Sequence, residues 1–118
     1  MLTALVLSAS VALTPSIATQ HAHAMSDYAL GADGAAQFRR VQLRRIGPDM
    51  VFCGQVNARD VDGVLSGWRD VIIVVSGNPN ARAVLTGDAP YKREIIRSSC
   101  RQGVRVNHLD YAAALSVE

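Results

Sequence analysis

Asp60 and Asp62 flank a turn that closes on Gly63, and with His108 they are the residues best suited by type to acid–base or metal chemistry. "RDVDG", Arg59 to Gly63, invites a calcium reading. With Gly63 at the sixth position of an EF-hand loop, Asp60 and Asp62 fall at the third and fifth. The first position is then Ala58 and the twelfth is Arg69, where a bidentate glutamate is required. The loop fails at both ends, and acidic residues beside a glycine are ordinary turn formers. No metal ligand set and no cofactor is expected. The G-x-x-x-G at 63 to 67 lacks the Lys-Ser/Thr that completes a phosphate-binding loop. Ser98, Ser99, Cys100 and Asp110 surround His108 in sequence, but a catalytic triad needs convergence in space, which sequence proximity does not supply.

Cys53 and Cys100 are the only two cysteines. With nothing of C-x-x-C form, redox chemistry is the weaker reading and a structural disulfide the stronger. Cross-linking them closes a loop of about 48 residues, worth roughly 4 kcal/mol in the chain-entropy model. That matters for a small domain, which buries only about 60–65% of its unfolded surface.

The address of the chain decides how this chemistry is weighed. No charged residue precedes Asp27. An apolar run from Met1 to Leu13, a break at Thr14-Pro15 and the small-residue "AHA" at Ala22 to Ala24 form the order of an export signal, cut after Ala24. The pattern departs from the usual one in having no Lys or Arg before the apolar run, and that run is too short to cross about 30 Å of hydrocarbon. Residues 1–24 are therefore expected to be a signal peptide, and the protein periplasmic or secreted. His21 and His23 leave with the leader, so His108 is the one histidine of the mature chain. That excludes a His-rich metal site.

The elements that must position these residues follow from periodicity. Residues 25–37 are small, polar and glycine-bearing, a loose lead-in with at most one turn of helix. From Phe38 the period is two, with Val41 and Leu43 opposed to Arg40, Gln42 and Arg44, as on a half-buried strand. Gly47-Pro48-Asp49 turns the chain into an antiparallel partner, Met50 to Ala58, with Phe52, Gly54 and Val56 on one face and Val51 and Cys53 on the other. Val71 to Val75 is an unbroken β-branched run and the most buried strand; after a turn at Ser76 to Asn80, Ala81 to Thr86 can form a fourth. Pro90 opens a helix through Gln102, with Tyr91, Ile95, Ile96 and Cys100 along one stripe and Gly103 as its stop. The tail from Val104 to Glu118 remains ambiguous between strand and helix. The expected fold is α+β: one domain, 38–118, with an antiparallel sheet of three or four strands and one C-terminal helix. In it Gly54 permits a close approach, Gly63 and Gly67 shape a loop, and Trp68 is largely buried where it seals the start of the buried strand.

Eleven of the twelve basic residues are arginines, clustered at Arg39, Arg40, Arg44 and Arg45 and again at Arg93, Arg97, Arg101 and Arg105. Nucleic acid is the first partner this suggests, yet the net charge is +2 and the address is extracytoplasmic, so none is expected. An anionic envelope polymer or an acidic protein partner fits that compartment better, and arginine on solvated faces and a charge-protected sheet edge accounts for the clusters without any partner.

"VFCGQVNAR…G…SGW" resembles the signature of a group of small exported bacterial proteins to which no activity is attached, with a V-C-G-x-V-N-A-K-N segment, a G-G-Y-x-G-F turn and a second cysteine in a C-terminal helix. Cys53, Gly54, Val56, Asn57, Ala58 and Arg59 stand in the first part, Gly63, Gly67 and Trp68 in the second, and Ala36, Phe38, Arg39 and Val41 match the group's A-K-F-R-x-V strand. The chain departs at Asp60, Asp62, Val64 and Leu65, where the pattern has asparagine, phenylalanine, glycine and tyrosine. The resemblance covers about half of the mature chain and implies the same fold and a Cys53–Cys100 pairing. The expected function is a non-enzymatic binding or structural protein of the envelope, its contact loop carried by Asn57, Arg59, Asp60, Asp62 and Ser66. A small inhibitor or immunity-type protein is the specialised alternative; a hydrolase using Asp60, Asp62 and His108 is the rival class.

Overall fold

The computed structural model describes residues 13–30, 36–59 and 62–116. Two long strands, β1 (Gln37–Ile46) and β2 (Asp49–Asn57), form a hairpin closed at Gly47-Pro48. β3 (Arg69–Val75) and β4 (Ala83–Thr86) follow, then a two-residue strand, β5 (Val104–Arg105). The sheet is antiparallel throughout, in the order β4-β3-β2-β1-β5. It has five strands where three or four were expected, because the ambiguous tail contributes β5.

The sheet is covered on both faces. Phe38, Val41, Leu43, Met50, Phe52, Val56, Val71, Ile73 and Val75 form the larger core, with Ala18 and Ala22 of α1 (Pro15–Leu30) and Leu115 of α3 (Ala112–Ser116) set on it. On the other face Val51, Cys53 and Ile72 meet Ile96 of α2 (Pro90–Gln102). The Cys53–Cys100 disulfide is present, with Cα atoms 6.2 Å apart, so α2 is stapled to β2. A single C-terminal helix was expected; there are three helices among the described residues.

Three further expectations are corrected. The helix α1 runs through residues 25–30, part of the stretch read as a loose lead-in, because Ala18, Ala22 and Ser26, four apart, form a buried stripe of small side chains that lets it sit close to the sheet. The α2 stripe is narrower than expected. Ile96 is buried and Cys100 half-buried, but Tyr91 and Ile95 are exposed and line a shallow groove of about 500 Å³ with Glu94, Ser98 and Ser99 on the helix's outer side. Gly103 does follow α2, but at φ −87° rather than in a left-handed cap; a Cβ there would come within 2.9 Å of Ile46 Cγ1.

β1 carries a bulge. Arg39 pairs with Gln55 and Gln42 with Cys53, so Arg40 and Val41 together oppose Gly54. Arg40 takes φ +56°, an uncommon conformation for a residue with a side chain. The outer edge of β1 holds the tail: Val106 N–H donates to the Leu43 carbonyl and Tyr111 N–H to that of Val41, both at 2.9 Å. Asp110 Oδ1 accepts from the Val41 and Ala112 N–H groups. The tail thus satisfies an edge that would otherwise be open to strand addition.

Candidate functional site

The loop between β2 and β3 is braced by its own polar groups. Ser66 N–H and Oγ both donate to the Ala58 carbonyl at 2.9 Å, Arg59 Nη1 donates to the Gly63 carbonyl at 2.7 Å, and Gly67 N–H donates to Asn57 Oδ1. Arg59 and Leu65 form an isolated antiparallel bridge. Gly63 and Gly67 sit at φ +79° and +101°, where side chains are strained, which explains their place at the two bends. The described part of the loop is therefore braced at its base, where the Ala58 and Gly63 carbonyls and the Ser66 and Gly67 N–H groups are hydrogen-bonded.

Of the residues expected to form a contact surface, Arg59, Asp62 and Ser66 are exposed. Asn57 is buried and belongs to the scaffold, since its carboxamide holds Gly67. Asp60 lies outside the described residues. Gly54 faces the larger core beneath the β1 bulge, the close approach anticipated for it.

Trp68 corrects an expectation. It is 37% exposed, not largely buried. Its ring is covered in part by Arg39, whose guanidinium carbon stands 4.1 Å from the ring centroid. Arg39 Nε in turn donates to Gln55 Oε1 at 2.7 Å, across the β1–β2 pair. The exposed indole is thus covered by a cation rather than by core side chains, a favourable arrangement for an aromatic face. Sequence reading placed Arg39 among generic surface charges and missed Gln55. The signal was available in "FRRV": Phe38 and Val41 both face the larger core although three positions apart, which strict alternation forbids and a bulge permits.

Of the rival catalytic set, Asp60 lies outside the described residues. Asp62 is on the β2–β3 loop, while His108 is exposed in the tail segment that borders the middle of β1. Among the described residues no three His, Cys, Asp or Glu side chains are grouped to hold a metal ion. Asp88 is held below the usual carboxylate range by a hydrogen bond from Lys92, whose ammonium is raised by the same contact at 3.0 Å; this exposed pair sits at the start of α2. The remaining arginines are dispersed. Arg97 pairs loosely with Asp70 at 3.7 Å and Arg101 with Glu94 at 3.8 Å, while Arg44 reaches the Gly103 carbonyl and Gln42.

Fold and site together define a small α+β domain, a five-stranded antiparallel sheet with one disulfide and a braced loop at one end. Compared with known proteins, the chain matches no family model, no curated protein and no solved structure. Among the described residues no helix is long and apolar enough to cross a membrane.

Proposed function

We propose that this protein is an exported, non-enzymatic binding module of the bacterial envelope, with the β2–β3 loop and the adjoining Arg39–Trp68 pair as its contact surface. The observation that carries this reading is the loop's construction. Its base is fixed by hydrogen bonds that Arg59 and Ser66 donate and by the one Asn57 Oδ1 accepts from Gly67, while Asp62, Val64 and Trp68 are exposed. A surface ordered before binding loses less conformational freedom on association. Loops held on a rigid scaffold are also where recognition residues concentrate. Export is supported by the apolar leader, the AHA motif and a disulfide of the kind that persists in oxidising compartments. The resemblance to small exported bacterial proteins points the same way.

The test is capture from envelope extract by immobilised protein, comparing the native chain with the double change Asp60→Ala, Asp62→Ala. Melting temperature should stay nearly unchanged, since substitutions at exposed positions such as Asp62 usually cost less than about 0.5 kcal/mol, while capture should weaken. Capture that survives the change would reduce the loop to a connection. A large stability loss would demand a buried pair or bound metal in the loop.

A further inference from the structure

The Arg39 guanidinium is held on two sides. Its Cζ lies over the Trp68 ring, 4.1 Å from the ring centroid, and Gln55 Oε1 accepts from its Nε at 2.7 Å. Among the described residues no carboxylate pairs with it, and no acceptor meets its two terminal nitrogens. Arginine side chains on surfaces are usually mobile and lose rotamer freedom when they bind. Here that ordering is already done, and the terminal Nη edge, the part of the fork that matches a carboxylate in bidentate fashion, is left for a ligand.

We propose that Arg39 and Trp68 form the binding site of an acidic glycan. A uronic-acid carboxylate lies against the Nη1 and Nη2 edge of Arg39, and the C–H face of a neighbouring sugar ring stacks on the uncovered part of the indole. The proposal deepens the binding-module reading and rests on it. Trp68 as a residue stays 37% exposed beside the guanidinium. Gln55 fixes the fork by accepting from Nε.

A nucleic-acid ligand fits less well. Single strands are bound by a positively charged groove that tracks the backbone and by successive aromatic platforms. This chain has one tryptophan, and Asp70 stands opposite Gln55 in the β2–β3 pair, a carboxylate on the same face of the sheet. A phosphate polymer needs many neutralising contacts, whereas an acidic sugar needs one fixed fork and one ring.

The test is binding of short oligogalacturonate to the disulfide-bonded protein, measured by calorimetry beside an uncharged galacto-oligosaccharide of equal length and a single-stranded oligodeoxynucleotide. Oligogalacturonate should bind and the neutral sugar should not. Arg39→Lys keeps the charge but loses the planar fork, and should weaken binding about tenfold, the scale of one charge-assisted bidentate contact. Trp68→Ala should weaken it to a similar degree, and thermal melts of both variants report that they fold. Absence of oligogalacturonate binding, equal binding by Arg39→Lys, or tighter binding of the oligonucleotide would each overturn the assignment. If envelope capture through the loop persists while oligogalacturonate fails, the acidic-glycan assignment falls and the binding-module reading stands.

Discussion

A Cβ placed on Gly54 would lie 2.8 Å from Val41 Cγ2 and 2.9 Å from Val41 Cα, closer than side-chain carbons pack. The contact exists because Val41 and Arg40 share one position opposite Gly54 in the β1 bulge. The bulge in turn places Val41, alongside Phe38, in the larger core and presents its N–H and carbonyl to Asp110 and Tyr111 of the tail.

Gly54→Ala should therefore act as an overpacking change, costing about 1–3 kcal/mol. Because the obstacle is backbone as well as side chain, trimming Val41 to alanine should not rescue it. Chemical denaturation of the single and double variants measures this; a neutral Gly54→Ala would show that the bulge shifts freely.

The Cys53–Cys100 bridge, spanning 47 positions, ties α2 to the central strand of the sheet. Non-reducing mass spectrometry should find the linked peptide pair and no free thiol. Reduction should lower stability by about 4 kcal/mol, as expected for a loop of this length. Two free thiols in the native protein would remove the staple from the account of α2.

Trp68→Ala should cost about 1–2 kcal/mol rather than the 3–5 of a core aromatic, since the ring is 37% exposed and loses mainly its stacking on Arg39. Its indole fluorescence should shift to the red on unfolding by less than that of a buried tryptophan. A loss on the core scale would place the ring inside the fold instead.

Cleavage after Ala24 would divide α1 between the buried positions Ala22 and Ser26 and remove Ala18 and Ala22 from the core face. Exported material is expected to begin at or near Met25, and a chain of residues 25–118 should melt several degrees below one of residues 13–118. N-terminal sequencing and paired thermal melts check both statements. A membrane-associated full-length chain would make the leader an anchor.

Local pattern alone determined much of the sheet. Alternation from Arg40 to Arg44, the turn at Gly47-Pro48 and the β-branched run Val71 to Val75 specify strands because a residue's face follows directly from its place in the pleat. The same holds for Pro90 at the start of α2. Two cysteines in one chain leave a single intramolecular pairing, so the bridge was legible as well. Tertiary structure alone decided the rest, where the deciding partner is remote in sequence. The Arg40–Val41 bulge needs Gly54 and Asp110, and the tail becomes edge cover only when Leu43 and Val41 offer it carbonyls. Trp68 looked like core because an aromatic before a buried strand commonly is. It remained at the surface because Arg39, brought beside it by the β1–β2 register and held by Gln55, supplies a cation over its ring. Periodicity encodes which way a side chain points, but not which distant group will meet it there.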